Sequence, residues 1–464
     1  MDGLTRRAFL GSAAALSVVQ SSAAARVPSG KARLRFGVVS DIHIADSSRV
    51  AQFEGALAYF KERGADAVVI GGDVADWGTV EQLRMAADAW RRVFPEGRGK
   101  DGRHVEPIAV YGNHELDGKA YQARNPAAQG LEYVADDPKG AWKKIFGTDY
   151  ETIFEKTVNG YSFVCVQWDM NGGYMSRSGD IGRFLEARRA RLAGAKPFFY
   201  VAHVHPYGTV GEMCSAYDYG GSTAALSKFP NAIALTGHSH SSLTDERMLW
   251  QGSFTSLGTA SLGYVIPYSG RENGRGAGTG GSGREQMPSL PLGECRQGMF
   301  ATAYDDVVVF ERIDFANGGR KLGADWVVSV PADGSLALAR RREVTPAPAF
   351  AEGAAITVAR RAGKDRRGRV SEQIVVEFPA AVAGGRAFDY EVTGSFRVRD
   401  VAASVVRRVF SRHYGAAPEV DVERCSCVFA RDEFPAAGQV AFSVRPVDSF
   451  GRFGASVSAA PFKL

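Results

Sequence analysis

Five short apolar runs in this chain each end on a cluster of imidazole, carboxylate or amide side chains. Asp41-Ile42-His43 follows "RFGVVS", and Gly72-Asp73 follows "AVVIG". Gly112-Asn113-His114-Glu115 follows "IAVY", His203-Val204-His205 follows "FFYVA", and Gly237-His238-Ser239-His240 follows "IALT". Six of the eight histidines fall in these clusters, leaving only His104 and His413 elsewhere. Random placement would not set every cluster directly after an apolar strand. In open α/β sheets the strand ends are where loops converge on a ligand. The chain is therefore constrained to a fold whose strands deliver these side chains to one place. Hard oxygen and borderline nitrogen donors in such a mixture suit zinc, manganese or iron rather than a thiolate-bound centre. With this many donors, two ions about 3.5–4 Å apart are the natural expectation.

The pattern between the clusters agrees. Val50, Phe53, Leu57 and Phe60 fall at helical spacing, and a second helical stretch runs around Val80–Trp90. "ETIFEKTVNGYSFVCVQWD" reads as a hairpin turning at Asn159-Gly160. Ile181, Phe184, Leu185 and Leu192 mark another helix. Strands mixed with helices, plus a hairpin, indicate an α/β core with mixed sheets.

At 464 residues, two folded units and a leader are expected. Thr5-Arg6-Arg7-Ala8-Phe9-Leu10, the soft apolar run Gly11–Val19 and the small residues through Ala25 form an export leader. It resembles the twin-arginine type, with residues 1–25 removed and the mature protein periplasmic or extracellular. No later run reaches the ~20 apolar residues of a membrane span. The formal charge of +5 is spread along the chain and does not suggest a nucleic-acid surface. Five cysteines, Cys165, Cys214, Cys295, Cys425 and Cys427, form neither a disulfide framework nor a zinc ribbon. A formal G-x-G-x-x-G at Gly276, Gly278 and Gly281 lacks the flanking strand and helix of a dinucleotide site and reads as a flexible insertion. "TPAPAF" at Thr345–Phe350 reads as a stiff linker between a unit at 33–345 and one at 351–464. In the latter, short alternating runs separated by Gly, Pro and Asp turns predict a small immunoglobulin- or fibronectin-like β-sandwich.

The ordered set D-x-H, G-D, G-N-H-E, H and G-H-x-H resembles the calcineurin-like metallophosphoesterase superfamily over roughly Leu34–Asp314. The resemblance implies a four-layer α/β/β/α sandwich and a dinuclear centre. Asp41, His43 and His240 would hold one ion, Asn113, His203 and His238 the other, and Asp73 would bridge them. His114 would sit by the substrate, with Asn113, and stabilise or protonate the leaving oxygen. Family members often carry a histidine two residues before a proline. Here they stand three and one before Pro206, so His203, at the strand exit, is taken as the ligand. His205 is then left for phosphate contact or support. Glu115 orients its loop or His114, or else is a solvated or capping acid.

The implied activity is hydrolysis of small phosphate mono- or diesters by a hydroxide shared between the ions. Asp73-Val74-Ala75-Asp76-Trp77 lacks the tyrosine of purple acid phosphatases, so a charge-transfer iron centre is not expected. The C-terminal unit is also much shorter than the substrate domain of exported 5′-nucleotidases. Tyr121, Tyr133, Tyr217 and Tyr219 lie on loops that either build a specificity pocket or simply face solvent. The competing reading is an envelope-associated binding protein that works through its C-terminal sandwich. Oligomeric state is left open.

Overall fold

The computed structural model describes residues 30–168, 178–210, 218–266, 270–274, 294–364, 368–412, 414, 424–435 and 438–464. The leader at 1–25, Cys214, Tyr217, the glycine motif at 276–281 and His413 lie outside these residues.

Two sheets carry the N-terminal unit. In the first, β1 (Leu34–Val39), β2 (Ala67–Ile70) and β3 (Glu106–Ala109) run parallel. The second contains β4 (Ile153–Val158), β5 (Tyr161–Val166), β6 (Phe198–Ala202), β7 (Ala232–Thr236), β8 (Leu249–Gln251) and β9 (Thr255–Gly258). Their order is β4-β5-β6-β7-β9-β8, parallel from β5 through β9. The first sheet is completed by β10 (Gln297–Ala303), β11 (Val307–Asp314), β12 (Arg320–Lys321) and β13 (Trp326–Ser329). It is ordered β12-β11-β10-β1-β2-β3, with β13 beside β11. The β4–β5 hairpin turns where expected, with Asn159 and Gly160 both at positive φ, as a two-residue I′ turn requires.

Side-chain alternation explains why the strands read as continuous apolar runs. Phe36, Val38, Ala67, Val69, Phe199, Val201, Ile233 and Leu235 share one buried cluster between the sheets. Val39, Val68, Ile70, Phe198, Tyr200, Ala202, Ala232 and Ala234 point the other way, into a cluster with the helices. Both faces are covered, so neither alternate set is polar. Helix α1 (Ser47–Glu62) starts where Asp46 accepts from the amides of Ser48 and Arg49. It buries Val50, Phe53, Ala56, Leu57 and Phe60. Helix α2 (Val80–Val93) starts with a Thr79–Gln82 capping box.

Beyond Val344 the described chain is β-rich. β14 (Pro348–Ala349) pairs with β17 (Ala383–Gly384), so the stretch expected as a linker is instead tied into the C-terminal unit. β15 (Thr357–Lys364), β16 (Val370–Pro379) and β20 (Arg424–Ala430) form a three-stranded sheet. β18 (Asp389–Val398), β19 (Val401–Phe410) and β21 (Gln439–Val447) form a second with two short strands, β22 (Val457–Ser458) and β23 (Phe462–Lys463). Ile374, Val376, Phe378, Cys427 and Phe429 of one sheet share a core with Tyr390, Val392, Val440, Phe442 and Val444 of the other, consistent with a β-sandwich. Cys165, Cys425 and Cys427 are free thiols. Among the described residues no helix is long and apolar enough to cross a membrane.

Phe36 stands at the centre of the inter-sheet packing, fully buried and edge-on to Phe163, Phe199 and Phe310 with ring centroids 5.4, 4.8 and 6.3 Å away. Phe36→Ala is expected to destabilise the fold by about 3–5 kcal/mol, read as a lower urea midpoint at unchanged slope.

Candidate metal centre

The C-terminal ends of β1, β2, β3, β6 and β7 meet. Asp41 and His43 leave β1, Asp73 leaves β2, and Asn113 opens helix α3 (Asn113–Tyr121) after β3. His203 leaves β6; His238 and His240 leave β7. Donor atoms of Asp41, His43, Asp73 and His240 lie within 4.8 Å of one another, as do those of Asp73, His203 and His238. Asn113 joins the second group, its Oδ1 being 2.9 Å from His203 Nε2. His205 does not converge with them: its Nδ1 meets the Thr236 hydroxyl, and its Nε2 is buried without a hydrogen-bond partner.

The backbone bends sharply to bring these groups together. Asp41, His43, Asp73, His238 and His240 all sit at φ between 50° and 66°, a region that costs a non-glycine residue of order 1–3 kcal/mol. Close approach demands the adjoining glycines. A methyl at Gly237 would overlap Ser40 and the Asp41 carboxylate, and one at Gly112 would overlap Asp73.

Hydrogen bonds fix the imidazole tautomers. A carbonyl or carboxylate oxygen can only accept, so the facing ring nitrogen carries the proton. His203 Nδ1–H donates to Gly71 O at 2.8 Å, His240 Nδ1–H to Tyr264 O at 2.9 Å, and His43 Nδ1–H to Asp76 Oδ1 at 3.1 Å. With Nδ1 engaged in this way, Nε2 is the ring atom of His203, His240 and His43 left to take a proton or a cation. His43 Nε2 and His240 Nε2 are 3.2 Å apart, and His203 Nε2 is 3.2 Å from His238 Nδ1. Facing lone pairs repel unless a proton or cation lies between them. The spacing matches the roughly 3.3 Å between two nitrogens bound tetrahedrally at about 2.0–2.1 Å. The donor set thus fits divalent ions.

The charges tell the same story. Burial favours neutral Asp41, yet the imidazoles of His240 and His203 outweigh it and hold its pKa at about 2. Asp73 is likewise held well below the ordinary range against burial, chiefly by His203. Burial opposes protonation of His203, but Asp73 and Asp41 prevail and raise it to about 9. His240 also rises despite burial, through Asp41. His238 falls to about 4, from burial and then the charge on His203. Without ions, a proton on His203 offsets the charge of the two carboxylates, and Asp41 favours the protonated form of His240 in the same sense.

Several contributors were not singled out from sequence. Asp76 receives His43 through its carboxylate and His114 Nδ1–H through its carbonyl, at 2.6 Å; the spacing G-D-x-x-D was its only local sign. Tyr264 lays its ring 4.4 Å from His240 and 5.1 Å from His43, centroid to centroid. Trp168 lies 6.0 Å from His238 and donates its indole N–H to Asp117 at 2.9 Å. Its place at the end of the β5 run was a usable signal. Fully buried Glu115 orients neither His114 nor solvent; it accepts from the amides of Asp73, Ala75 and Gly112 at 3.0, 2.8 and 2.7 Å. Burial and the neighbouring Asp73 raise it to about 7. Of the loop tyrosines, Tyr121 is exposed at the rim, 5.3 Å from His114. Tyr133 is instead a packing residue, buried with its hydroxyl donating to Ala128 O. Tyr219 is exposed.

Residues 34–242 match the calcineurin-like phosphoesterase family. The match and the clustered donors support that superfamily and a metal-dependent phosphoesterase. A comparison with curated proteins found no match. Similar solved structures include a dimetal phosphatase from Danio rerio, at 13% identity, TM-score 0.40, covering 65% of this chain and 100% of that one. Another is GAP50, the anchor in the inner membrane complex of Plasmodium, at 12% identity, TM-score 0.39, covering 65% and 90%. A third is the purple acid phosphatase PPD1 of yellow lupin, at 13% identity, TM-score 0.39, covering 64% and 53%. With these scores, the reading of the site rests on the family match and the donors themselves.

Metal ligands must be deprotonated to bind. Loading the ion-free protein with Zn²⁺ or Mn²⁺ at pH 7 is therefore expected to release about one to two protons per chain, measured by calorimetry in buffers of different ionisation enthalpy. Release should shrink as pH rises through about 9, where His203 loses its proton unaided. Absence of release at pH 7 would contradict this charge balance.

Proposed function

We propose that this protein is an exported, dinuclear metal-dependent phosphoesterase that hydrolyses small phosphate mono- or diesters. The observation that carries the reading is that Asp73 belongs to both donor groups. Its Oδ2 lies 3.1 Å from His203 Nε2 and 3.9 Å from His43 Nε2. On this reading Asp41, His43 and His240 hold one ion, Asn113, His203 and His238 the other, and Asp73 reaches both. Zinc, manganese and iron suit the donors. When bound, two such ions supply an acidified water and neutralise charge on the phosphoryl oxygens.

The chain's own groups do the rest. His114 Nδ1–H is held by the Asp76 carbonyl, which leaves Nε2 to carry the second proton of the imidazolium form, the one a leaving oxygen would take. Its backbone amide donates to Asp73 Oδ1 at 2.8 Å, so acid and bridging carboxylate keep a fixed relation. Asn113, whose Nδ2 donates to the Tyr121 hydroxyl at 3.3 Å, presents a neutral oxygen and leaves positive charge for a phosphate. His205 supports the site from behind.

Residues 1–25 are read as a twin-arginine-type signal, which makes the mature protein periplasmic or extracellular. Residues 33–345 form the catalytic unit, with helices outside two facing sheets in four layers, and 351–464 a β-sandwich. The test is turnover of p-nitrophenyl phosphate and bis-p-nitrophenyl phosphate with Mn²⁺ or Zn²⁺, before and after chelation. Silence with both at full metal occupancy would favour the binding-protein reading. Asp73→Ala is expected to lose both ions. His114→Ala should keep both and lose about 10²-fold or more in kcat. The reverse pattern of metal content would refute these roles.

A further inference from the structure

The wall of the metal centre nearest His240 is held from outside the catalytic sheets. Along residues 261–266 the chain runs beside two groups assigned above as ligands. Leu262 N donates to Ser40 O at 3.0 Å and Gly263 N to Asp41 O at 2.8 Å. The Ser261 hydroxyl donates to the same Asp41 carbonyl at 2.8 Å. Ile266 N donates to His240 O at 2.9 Å, while Tyr264 O receives His240 Nδ1–H. Both the backbone and the imidazole of His240 are thus fixed by this stretch.

The same stretch is gripped by the C-terminal unit. Val265 is fully buried in a cluster with Phe388, Phe410 and Tyr414. The Tyr414 hydroxyl donates to Ile266 O at 3.2 Å. A second part of the connection, 270–274, lies along the end of β19. Asn273 acts there as a strand partner, donating to Phe410 O at 3.1 Å and accepting from Phe410 N at 2.7 Å. Glu272 N donates to Arg408 O at 2.8 Å, and its carboxylate pairs with Arg407 at 3.1 Å. Asp389, fully buried, binds Arg271 at 2.5 Å from one side and Arg408 at 2.7 Å from the other. Removing one partner of a buried pair strands the other charges, so this anchor is specific as well as extensive.

We infer that the C-terminal β-rich unit is a positioning part of the metal centre, holding residues 261–266 in place and through them His240 and the loop of Asp41. It rests on the ligand assignment proposed above. Among the described residues the unit contributes no donor of its own; it acts by restricting the orientation of groups that do, as outer partners of metal ligands do elsewhere.

The test uses the full-length chain loaded with Zn²⁺, as wild type, Asp389→Asn and Tyr414→Phe. Tyr414→Phe removes one hydroxyl and carries the test if Asp389→Asn does not fold. Two readouts are taken: amide hydrogen exchange over 261–266, and release of each ion to a competing chelator. Exchange over 261–266 is expected to rise while β1, β2 and β6 stay protected. One of the two ions should loosen roughly tenfold or more, and the other should remain as in wild type. Unchanged exchange and release would overturn the inference. So would faster exchange with both ions still tight, or equal loosening of both with general loss of protection. Neither readout involves hydrolysis. A chain that binds two ions yet cleaves no ester would overturn the phosphoesterase reading and leave this inference standing.

Discussion

Two imidazole nitrogens face each other 3.2 Å apart, a spacing that requires a proton or a cation between them. The rest of the molecule is arranged so that they cannot relax apart. Carbonyls of Gly71 and Tyr264 and the carboxylate of Asp76 hold the Nδ1 protons of His203, His240 and His43, so none of these three rings can escape by changing tautomer. Five ligand-bearing residues are kept in left-handed backbone, a conformation that persists only where the surroundings over-determine it. Here those surroundings are two buried sheets and the glycines beside Asp41 and Asp73.

The donors come from both sheets, which makes the inter-sheet packing part of the site. Asp41, His43, Asp73 and Asn113 follow strands of the first sheet; His203, His238 and His240 follow strands of the second. Distances such as that from His203 Nε2 to Asp73 Oδ2 are therefore set by how Phe36 and its neighbours hold the sheets together. Close-packed interiors transmit such constraints because they have few voids to absorb a shift. The connection at 261–266 adds a third fixed point by bonding to the Asp41 loop and to His240 at once.

How far this was legible in the sequence follows from the range of each interaction. Strand-end clusters, the α1 periodicity and the Asn159-Gly160 turn are written in neighbouring residues and were readable. His203 is preferred over His205 in the sequence on its place at the strand exit alone; the fold adds that one reaches Asp73 and the other Thr236. Glu115 was readable as a capping acid, but not that its carboxylate would tie the Asp73 loop to the start of α3. Tyr133 looked like a rim residue because loop position says nothing of burial. The Pro-rich stretch at Thr345–Phe350 looked like a linker because a two-residue pairing with Ala383–Gly384 leaves no periodicity. Contacts of 261–266 and 270–274 with the C-terminal unit span more than a hundred residues and leave no local pattern at all.

The donors and the groups behind them make the two halves of the centre unequal. On the proposed assignment, one half has Asp41 and a share of Asp73, and its His43 is backed by a third carboxylate, Asp76. The other half has only its share of Asp73; Asn113 brings a neutral oxygen, and His203 is backed by the neutral carbonyl of Gly71. A carboxylate behind a ligating histidine raises its basicity more than a carbonyl does. Compensating negative charge is therefore concentrated on the Asp41 side, and uncompensated positive charge is left on the Asn113 side. Residues 113 and 114 are consecutive, so the group suited to a leaving oxygen is carried beside the half of the site that attracts an anion most strongly. One helix start, Gly112-Asn113-His114-Glu115, thus places both, and Glu115 locks that start to the loop of the shared carboxylate.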